Sequence, residues 1–386
     1  MNENTLLFAT NVFVFILCGG LLILIPRLTR NSYLFGVKIP PEEQDCPEAR
    51  QIKKQYMFTS LLGAGIGIIL CTIQFIMWQD ITFIATLYLP LLIIPIFFAA
   101  FIPNWKKAVR LKEKRGWKVS NALFADTSSF NTNRNLSTLP WQWYAAGLVV
   151  ILATVIVAVV QFPYIPDRIP VHLGANMEPT RWADKSWGSV LMMPLINAAM
   201  LAVMFLAALV IEKGRLQIDP DNPRLSFAQH RIYRRRMGNA LGFMSLALNI
   251  FLAPLGMAML FPDSSFWNTQ IILWLSIIMI CIAPLSIIGV FIKTGQGGCK
   301  VKIDLDDIDS GENSKTPKMS GRGDDRYWLL GMFYYNPDDP ALLVEMRFGS
   351  KFSFNYARPL AKIVTMLFII AFIVLYVWLT IFITTA

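Results

Sequence analysis

Chemistry on this chain is limited by its side chains. Only two histidines, His172 and His230, stand among 386 residues, so a histidine-based metal site must recruit carboxylates. His172 with Glu178 and Asp184 has the right types for a metal ion, but a hydrogen-bonded histidine that orders its own loop uses the same pattern. His230 lies beside Arg231 and Arg234-Arg235-Arg236 and reads as part of a solvated basic helix face. Of the five cysteines, Cys18, Cys71 and Cys281 sit in apolar blocks and Cys46 and Cys299 in polar loops. None has CxxC or Cys/His spacing, which argues against a disulfide framework or a zinc site. The acidic run Asp304 to Glu312 does not fit a calcium loop, because counting back from Gly311 puts Ile308 where a ligand is needed. HExxH, GxSxG, Walker A and a strand-to-helix GxGxxG are absent. The expectation is a non-enzyme with no catalytic residue, no cofactor and no metal.

The elements that must position these residues are membrane spans. Hydrophobic residues make up 55% of the chain, charged residues 16%, and mean hydropathy is +0.50. A soluble domain carries roughly 25% charged residues. Eight apolar blocks are long enough to cross a bilayer: Thr5–Ile25, Met57–Met77, Ile81–Ile102, Gln142–Phe162, Ser189–Ile211, Met237–Phe261, Asn268–Ile292 and Ala361–Thr384. The leader MNEN has no basic stretch, so the first block is expected to be a span and not a signal peptide. Trp78-Gln79-Asp80 and Pro262 to Ser265 separate two pairs of blocks as tight hairpins, a weak sign of a four-span repeat.

Charge sets the orientation. The segments after the first, third, fifth and seventh blocks hold 31 Lys/Arg, and the alternate loops hold three. The positive-inside rule then puts both termini outside and the basic loops in the cytoplasm. The net charge of +10 is expected to serve orientation and attraction to anionic lipid, not nucleic acid. No charge lies near the middle of any block. Asn11, Gln74, Gln161, Asn197, Asn239 and Asn249 are the polar residues available there, expected to make interhelical hydrogen bonds. Gly63 and Gly67 form a small-residue packing face, and Pro90, Pro95, Pro194, Pro254 and Pro284 are candidate kinks.

The expected fold class is an all-α membrane protein, an eight-span helical bundle with a small cytoplasmic β-rich insertion before the last span. Its divisions are 1–141 (three spans), 142–211 (two spans around a structured outer loop at 163–188), 212–292 (a basic loop and a hairpin), 293–360 (an acidic linker and the β-rich part) and 361–386 (the last span). In the outer loop, Arg168 to Leu173 reads as extended, since a residue before proline avoids the helical region. In the inner segment, Trp328–Tyr335, Ala341–Phe348 and Phe352–Tyr356 read as two or three antiparallel strands punctuated by Asn336 to Pro340. Phe35 to Pro41 reads as a loop and Pro47-Glu48-Ala49-Arg50 as a helix start.

Two segments carry a resemblance. Pro166-Asp167-Arg168-Ile169-Pro170-Val171-His172 through Pro179-Thr180-Arg181-Trp182-Ala183-Asp184-Lys185 resembles an uncharacterised outer-loop domain of Gram-positive bacterial membrane proteins, including SdpI-type toxin-immunity proteins. Met177 stands where that pattern commonly has glycine. Gly331 to Pro340, with Phe352-Ser353-Phe354-Asn355, resembles a second uncharacterised domain at the C-terminus of longer members, and Ile218-Asp219-Pro220 through Arg236 fits those members too. The resemblance implies kinship with proteins that protect the producing cell from a membrane-active peptide toxin, one of which also recruits a transcriptional repressor to the membrane. With structured soluble pieces expected on opposite faces, the leading expectation is a non-enzymatic protein of the cell membrane that senses or neutralises an envelope-active agent, with a peptide toxin or antimicrobial as the outside partner and a regulatory protein inside. Outer contact is then expected at Asp167, Arg168, His172, Glu178, Arg181 and Trp182, and inner docking at Tyr334, Tyr335, Asp338 and Asp339. A transporter or lipid-handling protein is the alternative, and a metal-dependent envelope enzyme a further one.

Overall fold

A computed structural model describes residues 3–117, 123–124, 139–173, 179–213, 223–262, 269–303, 319–320, 323–348 and 352–385. The chain divides into two compact units, one made of 1–3, 133–213 and 231–294, the other of 4–132, 214–230 and 295–386. Among the described residues, seven helices are long and apolar enough to cross a membrane: Asn4–Leu28, Pro47–Met77, Ile84–Arg115, Trp141–Val160, Trp187–Glu212, Leu225–Leu260 and Pro359–Trp378. This suits a multi-pass all-α membrane protein with small strand pairs. A further long helix, Thr269–Thr294, covers the seventh expected block.

The 133–213/231–294 unit is built on helices α5 (Trp141–Val160), α6 (Trp187–Lys213), the α7 helix (Pro223–Leu260) from Arg231 onward, and α8 (Thr269–Thr294). Tyr144, Ala208, Met237 and Leu241 form one buried cluster, and Ala158, Val190, Met257 and Leu260 a second. Between α5 and α6 stands a hairpin of β4 (Arg168–Leu173) and β5 (Pro179–Asp184). The turn residues expected at Gly174-Ala175-Asn176, and Glu178, lie outside the described residues.

The other unit holds α1 (Glu3–Leu28), α2 (Pro47–Met77), α3 (Thr82–Tyr88), α4 (Ile93–Arg115) and α9 (Pro359–Thr385). The third apolar block is not one helix. A 3-10 turn at Leu89–Leu92 separates α3 from α4, with Pro90, which supplies no N–H, in its first turn. Trp78 caps α2, and after a 3-10 turn at Gln79–Ile81 the next helix begins at Thr82, so the break between the two apolar blocks is short, as the sequence suggests. The start of α2 also falls where expected, with Pro47 in its first turn and the Cys46 sulfur accepting from the Ala49 N–H.

The segment after α1 departs from expectation. Phe35 to Ile39 is core, not a surface loop. Strands β1 (Tyr33–Leu34) and β2 (Val37–Lys38) pair across a two-residue turn at Phe35 and Gly36. Phe35 is buried against Tyr56, Phe101 and Phe348, at ring separations of 5.0, 6.0 and 5.4 Å. The run Trp328–Tyr335 is likewise not one strand. It folds on itself as β7 (Trp328–Leu329) and β8 (Phe333–Tyr334), turning at Leu330 and Gly331. Strands β9 (Leu343–Glu345) and β10 (Phe352–Phe354) make a second pair, and a single bridge joins Tyr334 to Asn355. β3 (Leu123–Phe124) pairs with β6 (Met319–Ser320).

Both tight turns need positive φ, with Phe35 at 49°, Gly36 at 82°, Leu330 at 52° and Gly331 at 70°. They also press on each other. A Cβ at Gly36 would collide with the Gly331 carbonyl, and one at Gly331 would lie 2.8 Å from the Phe35 oxygen. Glycine is therefore required twice over at Gly36, by backbone angle and by space. Gly36→Ala should destabilise the protein by at least about 1–3 kcal/mol, the range for a residue held in a sparsely populated conformation. Thermal unfolding of the detergent-solubilised protein reads this directly, and an unchanged melting temperature would refute the turn-to-turn contact.

Candidate functional site

The β4–β5 hairpin is attached at its base and open at its sides. Ile165 and Ile169 are buried against Ala158, Val190, Met257 and Leu260, the ends of α5, α6 and α7. Lys185 ties the second strand to the first: its N–H donates to the Asp167 carbonyl (2.7 Å) and its Nζ to the Ile165 carbonyl (2.8 Å). Phe162 stacks on Trp187 at 4.1 Å, with the Lys185 ammonium 5.5 Å from the Phe162 ring. At the entry to α6, the Ser189 N–H donates to Ser186 Oγ and the Ser186 N–H to Ser189 Oγ, a reciprocal cap that fixes where the hairpin ends.

This frame places the expected outer residues. Arg168 pairs across the strands with Asp184 and His172 with Arg181, and register shifts fall around Val171, between Pro170 and His172 and again before Leu173. Asp167, Arg168, His172, Arg181 and Trp182 are all exposed. The Arg168–Asp184 ion pair is long (3.8 Å) and fully wet, so it orders little. His172 Nδ1 lies 2.6 Å from the Thr180 hydroxyl, the loop-ordering role open to it from sequence. Among the described residues no three of His, Cys, Asp and Glu come close enough to hold a metal ion.

The residues expected to dock a partner inside separate into two kinds. Tyr334 is fully buried and its hydroxyl donates to Asp339 (3.0 Å), itself buried. Asp339 also accepts from the Ala341 N–H, and its carbonyl takes Arg358 and Asn355. Asn336 Nδ2 donates to the Tyr334 hydroxyl, and the Asn336 N–H donates to Asn355 Oδ1. These residues hold the Asn336-to-Pro340 turn in shape. Tyr335 and Asp338 are the exposed pair that the turn displays.

A cluster that the sequence does not announce lies in the same unit. His230 is buried, not solvated: Nδ1 bonds the Ser226 carbonyl (2.7 Å), and Nε2 lies 2.6 Å from Arg30 Nη2 and 3.3 Å from Glu345 Oε2. Arg30 donates to Glu345 Oε1 at 2.7 Å. Gln296 reaches the Met346 carbonyl (2.6 Å) beside them. Burial works against the Glu345 charge, but Arg30 and then His230 outweigh it and bring the carboxyl down to about 2. Burial likewise pushes the Tyr33 hydroxyl and the Cys299 thiol up. Arg30, His230 and Glu345 come from three distant parts of the chain, and only the run of arginines around His230 was visible beforehand.

Residues 149–198 match the sequence family described as Domain of unknown function (DUF1648). The match covers the second half of α5, the hairpin and the start of α6, and is consistent with an SdpI-like membrane family. No curated protein and no solved structure matches the chain.

The cluster has a measurable signature. Glu345→Gln leaves Arg30 buried without its carboxylate and should cost about 3–5 kcal/mol, the range for breaking a buried pair. The Glu345 value is depressed below its ordinary 4.5, so its contribution is complete above that pH and is lost as pH falls toward about 2. The difference in stability between wild type and Glu345→Gln should therefore shrink across that window. A difference constant down to pH 2 would contradict the buried pair.

Proposed function

We propose that this is a non-enzymatic protein of the cell membrane that senses membrane-active peptides or envelope stress, or gives immunity to them. In this reading eight spans carry the hairpin outside and the basic loops and C-terminal strand pairs inside, with both termini outside. The observation that carries it is the outer hairpin: a strand pair locked at its base that displays two arginines, a histidine and a tryptophan to solvent. No third strand joins it among the described residues, so an extended peptide has backbone and side chains to meet. The match to DUF1648 over this stretch supports kinship with SdpI-type immunity proteins. Tyr335 and Asp338 are the residues offered to a cytoplasmic regulator.

Deleting the gene should sensitise cells to at least one class of membrane-active peptide. Wild type should restore resistance, and a form with Arg168→Ala, Arg181→Ala and Trp182→Ala should not, at equal membrane abundance. Unchanged sensitivity across a broad panel would remove the proposal. A lipid-handling or transport role is the second reading, favoured by an open groove in the unit that holds the C-terminal strand pairs.

A further inference from the structure

That groove, about 580 Å³ and lined by Trp105, Trp117 and Trp328, has most of its charges spent: Lys112 and Arg347 bond Asp325, and Arg326 bonds Asp324. A far smaller cavity, in the 133–213/231–294 unit, carries a polar atom with no partner. It measures about 10 Å³, and its walls include Thr154 of α5, Pro194 and Asn197 of α6, and Gly256 and Met257 of α7.

Asn197 is 2% exposed, and its Oδ1 is buried with no donor among the described residues. An acceptor left that way inside a bilayer is costly, because lipid supplies no hydrogen. Thr154 is buried too. Its hydroxyl turns its one hydrogen to the carbonyls of Ile151 (2.7 Å) and Val150 (2.9 Å), so only lone pairs remain for a guest. Pro194 supplies no N–H, so the Val190 carbonyl one turn back loses its α-helical donor. Facing helices thus present acceptors that want hydrogens.

Size and charge then limit the guest. The volume is about that of one water-sized sphere. A bare cation in lipid would want a carboxylate, and no charged residue lines the cavity among the described residues. We infer that the cavity binds a single water molecule, which donates one hydrogen to Asn197 Oδ1 and the other to Thr154 Oγ1. The interhelical bond expected of Asn197 is then made through water, and joins α6 to α5. Thr154, Pro194 and Gly256 each lie one turn from Ala158, Val190 and Leu260, against which Ile165 and Ile169 of the hairpin pack. The water therefore braces the helix ends on which the hairpin stands. The inference rests on packing inside one unit and not on peptide contact, so the two readings can fail separately.

The test is an experimental structure of the full chain in lipid nanodiscs, at a resolution that shows ordered water. Density for one water should lie within hydrogen-bond reach of both Asn197 Oδ1 and Thr154 Oγ1. A blank cavity beside other visible buried waters would overturn the assignment. Thermal unfolding gives a second measurement. Thr154→Val keeps the side chain's shape and should lower the melting temperature, because the water loses an acceptor. In an Asn197→Leu background, where the water is no longer held, the same change should lower it clearly less. Loss of the Thr154 bonds to Val150 and Ile151 is common to both backgrounds and cancels. Equal shifts in the two backgrounds would refute the bridge. Melting should be the same in sodium chloride and in N-methylglucamine chloride at equal ionic strength, and a rise specific to sodium would mark the guest as a cation and overturn the proposal.

Discussion

A buried carboxylate needs its cations in place before it can be buried, and Glu345 imposes that condition on the unit that contains it. Taking an ion out of water costs several kcal/mol even after relaxation, and only close partners offset it. Here the partners are Arg30, from the segment after α1, and His230, near the start of α7. Strand β9 can therefore settle only where those two segments already meet. Asp325 repeats the arrangement with Lys112, Arg347 and the Lys38 N–H, and joins α4, β2 and the C-terminal strand pairs through one side chain. Apolar contact alone is non-directional. The charges supply the direction, and the two facing turns at Gly36 and Gly331 supply a fit that tolerates no side chain.

This explains which parts of the structure were legible in the sequence. The spans were legible because a helix in lipid satisfies its own backbone and needs only a run of apolar residues. The first strand of the hairpin was legible because a residue before Pro170 avoids the helical region, whereas its partner Pro179–Asp184 was not read as a strand. Phe35-Gly36 and Leu330-Gly331 were harder. Each turn demands positive φ from a bulky residue, which no local preference signals, and it is tolerated because surrounding packing holds it. His230 was misread for a similar reason. Its neighbours in sequence are arginines, whereas its neighbours in space are a single arginine and a carboxylate from far along the chain. Local composition describes an environment only where the chain stays local.

The candidate contact residues show the same division. Asp167, Arg168, His172, Arg181 and Trp182 share one strand pair, so nearness in sequence is nearness in space. Tyr334, Tyr335, Asp338 and Asp339 also lie together, yet Tyr334 and Asp339 are spent on each other inside the turn. Aromatic and acidic residues in a short run advertise a surface equally whether they face out or in. Only the partners settled it: Asn355 and Arg358, across the gap from Asn336, close the network around Asp339.

The polar residues of the spans were expected to bind helix to helix, and three of the six do, Gln74 among them through the Thr82 hydroxyl on α3 (3.2 Å). Asn11 does reach Thr86 on another helix (3.0 Å), and Trp143 reaches Asn239. Asn104 and Asn249, however, each donate to the carbonyl four residues back in their own helix, at 2.7 Å. The side-chain oxygens of Asn11, Gln74, Asn104, Asn197 and Asn249 are buried without a donor among the described residues. Amides that bond backward add little to specificity between helices, so shape must provide it. Glycines do this: the Phe15 ring fills the notch at Gly67, Ile96 that at Gly63, Leu201 that at Gly147 and Trp143 that at Gly242. In a medium as apolar as leucine, close approach of backbones at small residues is the remaining source of selective attraction. The spans are thus matched by where they lack side chains as well as by the polar groups they carry.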